Sequence, residues 1–405
     1  MNIDQQVAYL MQGTEYGDES MAKSMESELR DRLIEAQKEG RPLKVYCGYD
    51  PRTTDLHIGH TVTMRKLRQF QELGHDVYFV IGTYTSLIGD PSDQDKLRPL
   101  LSPEQVEANA RTYAEQAFRI LDRTKTKVVY NADWLSELTF ADLIKLASNF
   151  TIQQFLTREN FRLRWDKNEA IHVHELFYSI MQGYDAHFLN TDVQVGGTDQ
   201  LFNIMTASRK IMSYFNQKPN IGIILSILPG TDGVVKMSKS LGNHIPLNSS
   251  SEDMYGKIMS VPDIAMIQYA ELATRWTPTE IEGFTTGIKN GSIHPRDAKM
   301  KLAFEIVSAF FDQDEAVKAQ DNFVTLFQRG DLPEEIQEHQ LDHEENVLDL
   351  MVNTLLVSSK SQGRRLIDQH GVKFDGSLVT DPMMIVDRDG VLQVGKRFFL
   401  KIRKS

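Results

Sequence analysis

Leu43-Lys44-Val45-Tyr46-Cys47-Gly48-Tyr49-Asp50-Pro51, followed shortly by His57-Ile58-Gly59-His60, decides the fold. The apolar run has the length of a buried strand, and Asp50-Pro51 is a turn pair that ends it. A helix is predicted from near His57, because Met64, Leu67 and Phe70 recur on one face, and Gly74 stops it. Val77-Tyr78-Phe79-Val80-Ile81-Gly82 reads as the next strand, and Val128-Val129-Tyr130 as a third after a helix over 103–122. Strand, helix and strand in alternation predict an α/β fold: a parallel sheet with right-handed crossovers.

The same reading extends in both directions. Residues 20–40 form an amphipathic helix ended by Gly40, 140–215 read as mainly helical, and Ile221 to Leu228 as another buried strand. Gly230 to Asn243 is a glycine-rich, polar and mobile loop. Residues 251–329 are helical, with Leu302, Ile306, Ala309 and Phe310 on one face. Asp331 to Glu345 is acidic and poor in bulky apolar residues, which predicts a linker. Beyond it, two short helices mix with strands such as Leu392-Gln393-Val394 and Phe398-Phe399-Leu400.

Composition narrows the function classes. The 405 residues leave room for two or three domains, and no run of about 18 apolar residues exists to span a membrane. Met1 to Ser20 has neither the apolar core of a secretory signal nor the Arg-rich character of a transit peptide, so a cytoplasmic protein is expected. With Cys47 the single cysteine, no intramolecular disulfide or cysteine-built zinc site can form. The net charge of −11 conceals an asymmetry: from Ser358 to Ser405, ten Lys or Arg face five Asp, which is +5, leaving −16 for the rest. A basic module on an acidic body implies a polyanionic partner met at one place.

Two short strings carry the chemistry. His57 and His60, three apart at a helix start, can both donate to a triphosphate where the helix dipole and free N–H groups favour anions. Gly59 would give a nucleotide room against the backbone. Taken alone, the tetrapeptide is equally compatible with a chance string in a capped helix. Lys236-Met237-Ser238-Lys239-Ser240 follows Pro229-Gly230-Thr231-Asp232-Gly233. Two lysines on such a loop can close over a leaving pyrophosphate, stabilising charge as it develops. Together the strings point to carboxylate activation by ATP.

With these motifs in hand, the chain resembles the class I aminoacyl-tRNA synthetases, specifically the bacterial tyrosyl-tRNA synthetase type. Tyr46-x-Gly48-x-Asp50-Pro51, Ile88-Gly89-Asp90-Pro91-Ser92, Tyr178-x-x-x-Gln182-Gly183-Tyr184-Asp185 and Gly196-Gly197-Thr198-Asp199-Gln200 fall in that family's order. The resemblance implies a Rossmann-type catalytic domain with N-terminal helices over 1–248 and a helical anticodon-recognition domain over 249–330. An acidic linker over 331–345 would lead to a small basic RNA-binding domain over 346–405, shared with a ribosomal protein.

It also implies roles. Tyr46 and Asp185 would contact a phenol oxygen, the carboxylate accepting the O–H that phenylalanine lacks. Asp90, Tyr178 and Gln182 would hold the tyrosine ammonium; Tyr178, Gln182 and Asp185 share a helix face by spacing. Asp199 would hold the ATP ribose, Gln200 would lie near the tyrosine carboxylate and Gln194 in the same wall. Gly48, Asp50, Gly59 and Gly197 would lie along the nucleotide with Met237 and Ser238. His57, His60, Lys236 and Lys239 would be the catalytic groups. Lys96 and Arg98 match basic positions for pyrophosphate more loosely. Arg52 stands where the family has a small hydroxyl residue; it is either a further guanidinium near the triphosphate or a surface arginine.

In the tail, Arg364 and Arg365 near a helix start and Lys396 and Arg397 later are expected to neutralise RNA phosphates. The implied reaction forms tyrosyl-adenylate from tyrosine and ATP, with Mg²⁺ brought by the ATP, and transfers tyrosine to the terminal ribose of tRNA(Tyr). No resident metal site is expected, and the family implies a homodimer. Tryptophan is the rival substrate on this scaffold. Two readings of a different kind stay open at this point: a catalytically silent RNA-binding protein, and a nucleotidyltransferase of the same superfamily.

Overall fold

The computed structural model describes residues 1–51, 56–91, 102–326, 337–341, 343–395 and 398–404. Arg52, Ser92, Lys96, Arg98, Lys396 and Arg397 lie outside these residues, as does the proposed linker up to 336. The chain divides into two compact units, Met1–Ala316 and Val317–Ser405.

The first unit opens with α1 (Ile3–Met11) and α2 (Glu19–Glu39). Asn2 and Gln5 cap α1 reciprocally, and Gly40 closes α2 in the left-handed conformation with φ 65°. The carbonyls ending α1 are taken by the buried Lys66, whose Nζ donates to Leu10 O at 2.8 Å and Gln12 O at 2.9 Å. Then β1 (Lys44–Tyr49), α3 (Ile58–Glu72), β2 (Asp76–Ile81), α4 (Pro103–Ala117) and β3 (Thr126–Tyr130) follow, the alternation expected. α3 buries Ile58, Val62, Met64, Leu67 and Phe70 against the sheet; each such side chain contributes about 1.5–3 kcal/mol. α4 ends five residues short of the expected 122, because Asp122 instead caps a separate short turn by accepting from Thr124 N at 2.9 Å.

Next come α5 (Ala132–Leu135), α6 (Phe140–Ala147), α7 (Ile152–Phe155), α8 (Glu159–Asp166), α9 (Val173–Leu189), β4 (Val193–Gly197), α10 (Arg209–Tyr214) and β5 (Ile221–Leu225). The expectation of mainly helix over 140–215 includes no strand. β4 corrects it, and it lies inside the sheet between β1 and β5: the parallel sheet runs β3-β2-β1-β4-β5. The segment is short and ends in two glycines, so its strand character comes from its neighbours. Val45 pairs with Val193, Tyr46 with Gln194, and Val195 with Ile223. Helices α11 (Ser251–Met259), α12 (Met266–Ala273), α13 (Pro278–Lys289) and α14 (Pro295–Phe310) follow, and α15 (Gln313–Val324) crosses the division between the units.

The second unit contains β6 (Gln337–Leu341), β7 (Glu345–Asn346), α16 (Val347–Asn353), α17 (Lys360–Asp368), β8 (Val372–Phe374), β9 (Ser377–Leu378), β10 (Ile385–Val386), β11 (Gly390–Val394) and β12 (Phe398–Lys404). A five-stranded sheet, β6-β12-β11-β8-β9, encloses a core that includes Leu350, Met351, Ile367, Val372, Leu392 and Leu400. The linker expectation fails from Gln337 onward, since β6 pairs in parallel with β12. The acidic character that suggests a linker serves this pairing: Glu338 lies 2.6 Å from the Lys401 ammonium. No helix among the described residues is long and apolar enough to cross a membrane.

Candidate active site

The order β3-β2-β1-β4-β5 reverses direction between β1 and β4, and ligand crevices open at the carboxyl ends of strands at such a point. A cleft of about 870 Å³ lies there. It is lined from five places: Gly48 and Asp50 at the end of β1; His57, Gly59 and His60 at the start of α3; Asp90; Tyr178, Gln182 and Asp185 on α9; and Gly197, Asp199 and Gln200 at the end of β4. Lys236, Met237, Ser238 and Lys239 of the glycine-rich loop complete it. Residues almost 200 positions apart thus face one space.

At the floor stands Asp185, 3% exposed. Its carboxyl accepts from Trp134 Nε1 at 2.8 Å and Asn131 Nδ2 at 3.3 Å. Both donors favour the ionised form, yet burial outweighs them and pushes the group up to about 8. Asn131 and Trp134 are absent from the sequence-based site; the Asn just after β3 and the Trp on α5 carry no local motif.

Asp50 accepts from Thr85 Oγ1 at 2.7 Å and from the Tyr178 hydroxyl at 3.1 Å. Burial, then Asp50, then Asp90, raise the Tyr178 phenol well above its ordinary range, so it acts as a donor. Gly82 makes the Asp50–Thr85 contact possible, since a Cβ there would overlap Asp50 Oδ1 and Thr85 Oγ1. Asp90 accepts from Gln200 Nε2 at 2.5 Å and faces the Arg158 guanidinium at 3.7 Å.

Three sequence expectations are adjusted. Tyr46 is wholly buried and is not among the residues lining the cleft; its hydroxyl donates to Gln182 O at 3.3 Å. Gln194 accepts from Asn220 Nδ2 at 2.8 Å within the core and does not line the cleft either. The space over Gly59 is taken by the chain itself: a Cβ there would lie 3.0 Å from the His57 ring and 3.5 Å from Met237. Gly48, by contrast, has nothing within 4 Å of such a Cβ and leaves the backbone open to the cleft.

At the mouth, the His57 and His60 rings lie 3.8 Å apart, and His60 Nδ1 accepts from the His57 backbone N–H at 3.2 Å. Burial, with the nearby His60, His244 and Lys236, drives His57 down to about 2. Burial thus holds the ring in its neutral form, in which one ring nitrogen carries a proton and can donate. The loop string has internal order: Ser238 N donates to Asn243 Oδ1 at 2.8 Å, and Asp232 Oδ1 accepts from Val234 N at 2.8 Å and Val235 N at 2.7 Å. Lys236 reaches across to Asp199 at 3.1 Å. In the second unit, Arg364 and Arg365 are exposed on α17.

The fold and cleft define a nucleotide-binding α/β protein with fixed and loop-borne donors at one crevice. The model for class I tRNA synthetases (W and Y) matches residues 37–328, and that for the S4 domain matches 347–392. The chain is 46% identical over 380 residues to a tyrosine–tRNA ligase of Moorella thermoacetica, covering 93% of this chain and 92% of that one. It is 45% identical over 379 residues to one of Thermotoga maritima, with 93% of each chain covered. The chain therefore belongs to the class I tRNA synthetases of the tryptophan and tyrosine group. A tyrosyl-tRNA synthetase from Archaeoglobus fulgidus, solved with L-tyrosine, shares the fold with a TM-score of 0.60 at 22% identity, over 79% of this chain and 100% of that one. A Plasmodium falciparum tryptophanyl enzyme shares it at 0.53 and 14% identity, over 72% of this chain and 81% of that one, so fold does not choose the amino acid.

Proposed function

We propose that this chain is a tyrosine–tRNA ligase: it joins tyrosine to ATP as tyrosyl-adenylate, releases pyrophosphate, and passes the tyrosyl group to the terminal ribose of tRNA(Tyr). The observation that carries the choice of amino acid is Asp185, a buried carboxyl held by Trp134 and Asn131 at the cleft floor. A phenol reaching it exchanges a hydrogen bond with it; an indole ring presents its single N–H elsewhere. A buried polar group left without its partner costs about 1–3 kcal/mol, more when charged.

In this reading Asp90, Tyr178 and Gln182 hold the ammonium, Gln200 lies at the carboxylate and Tyr46 supports the floor from beneath. The tyrosine carboxylate attacks the α-phosphorus in line. The bond to the bridging oxygen of pyrophosphate breaks and the electron pair leaves with pyrophosphate. His57 and His60 donate N–H groups from one side, and Lys236 and Lys239 bring positive charge from the other, so catalysis is placement and charge stabilisation. Asp199 takes the ribose, with Gly48 and Gly197 allowing close approach. Mg²⁺ enters with ATP as part of the substrate. Asp50, Asp90 and Asp199 each already face protein donors, which suits a metal carried by phosphates.

The domain assignment is part of the proposal: catalysis over 1–248, anticodon recognition over 249–330, and RNA-backbone binding over 346–405 through Arg364, Arg365, Lys396 and Arg397. A cytoplasmic homodimer is the form proposed. ATP–pyrophosphate exchange with tyrosine and tryptophan in turn tests the reading. Exchange is expected with tyrosine; exchange with tryptophan alone overturns it.

A further inference from the structure

Behind the proposed ammonium site lies a buried cation that no catalytic step uses. Arg158, the residue before α8, is 6% exposed, with its guanidinium 4.8 Å from the centroid of Phe161 and 5.5 Å from that of Phe202. One arm faces Asp90 at 3.7 Å. The other donates to Ser179 Oγ at 2.9 Å, Ser179 donates to Asn203 Oδ1 at 2.7 Å, and Asn203 Nδ2 donates to Gln200 Oε1 at 2.9 Å. Gln200 Nε2 then donates to Asp90 Oδ2 at 2.5 Å, which closes the loop.

Every donor in this loop points the same way. A guanidinium can only donate and a carboxylate can only accept, so the hydroxyl and both amides between them are left one orientation. We propose that Arg158, Ser179 and Asn203 are positioning residues that lock the Gln200 amide with its nitrogen toward Asp90, so that its second N–H serves the amino-acid carboxylate.

The opposite amide orientation would set an oxygen against Asp90 and against the substrate carboxylate, two repulsive contacts. Arg158 also explains how a cation is tolerated beside an ammonium site: its charge lies behind Asp90 and is delocalised between two aromatic faces. Asn203 begins a π-helical segment, Asn203–Ser208, and such segments re-aim side chains at functional positions. The two ends of the amino acid are thereby read by one connected unit, Asp90 for the ammonium and Gln200 for the carboxylate.

This inference rests on the ligase reading and is tested so that the two fail differently. The probes are tyrosine, in ATP–pyrophosphate exchange, and tyrosinol, which keeps the ammonium and phenol and lacks the carboxylate, as a competitor. Asn203→Leu frees the Gln200 amide and is expected to raise the tyrosine KM about tenfold while moving the ATP KM and the tyrosinol inhibition constant by less than about threefold. Ser179→Ala cuts the loop one bond earlier and is expected to give the same split, which covers the case in which Asn203→Leu folds poorly. Arg158→Met is expected to weaken tyrosine and tyrosinol together, because Asp90 is also released. Arg158→Lys should recover tyrosinol more than tyrosine, since an ammonium keeps the charge beside Asp90 but lacks the planar fork that fixes the donor to Ser179. Equal losses for both probes in Asn203→Leu and Ser179→Ala, or no change in tyrosine KM, overturn the inference. Absence of tyrosine-dependent exchange in the wild type overturns the ligase reading instead.

Discussion

The substitution Asp185→Asn separates the charge of the cleft floor from its shape. In the folded protein the Asp185 carboxyl titrates near 8 against an ordinary 3.8, with burial the largest cause. Between those values the unfolded chain has lost its proton and the folded chain has kept it. The folded state binds more protons, so this group makes stability fall as pH rises from about 4 to about 8, and nothing further is lost above that. A shift of that size corresponds to on the order of 6 kcal/mol at about 1.4 kcal/mol per unit.

Asp185→Asn keeps the acceptor for Trp134 and abolishes the titration. It also sets an amide nitrogen against Asn131 Nδ2. Asn131 cannot turn to relieve this, because its oxygen accepts from Tyr84 N at 2.8 Å and its nitrogen donates to Thr85 Oγ1 at 3.1 Å. That clash costs about 1–3 kcal/mol at every pH. Denaturant unfolding of both proteins at pH 5 and pH 8.5 separates the constant term from the titrating one. The variant is expected to be less stable than wild type at pH 5 and to gain on it by several kcal/mol at pH 8.5. Stability curves that run parallel across this range would refute the account of a buried carboxyl held protonated by desolvation.

Other perturbations address other parts of the molecule. Lys239→Ala is expected to lower the single-turnover rate of adenylate formation by about 10²–10³-fold, with little change in tyrosine affinity, as measured by quenched flow. Gly82→Ala would push Asp50 away from Thr85, costing about 1–3 kcal/mol in denaturant unfolding and lowering exchange activity. Arg364→Ala with Arg365→Ala is expected to leave pyrophosphate exchange intact, weaken tRNA binding and reduce the salt dependence of that binding by roughly one unit of slope per lost contact.

What is legible in the chain, and what is hidden, follows from the range of the forces involved. β1, α3 and β2 announce themselves because each carries its own period and its own stop signal. His57, His60, Lys236 and Lys239 are legible as strings. β4 is hidden because Val193-Gln194-Val195-Gly196-Gly197 has too few apolar residues to signal a strand, and its pairing with β1 and β5 supplies the rest. β6 reads as a linker for the same reason, its one acid, Glu338, being matched by Lys401 only across the ladder. Asn131, Trp134 and Arg158 belong to no motif; they matter through side chains that meet Asp185 and Asp90 from distant segments. Tyr46 and Gln194 sit on central strands beneath the cleft, and only the pleat of the sheet decides which strand residues reach its wall.

The seam between β1 and β4 has a consequence for how the molecule is born. Val45 and Val193 pair across roughly 150 intervening residues, far more than any other neighbouring pair in that sheet, and contacts so distant in sequence form late. On one side of the seam lie Gly48, Asp50, His57 and His60; on the other, Asp199 and Gln200. Without the second side the crevice lacks Asp199 and Gln200 and is incomplete. The crevice is therefore whole only once the fourth strand has docked and the loop bearing Lys236 and Lys239, which follows it in the chain, has joined it.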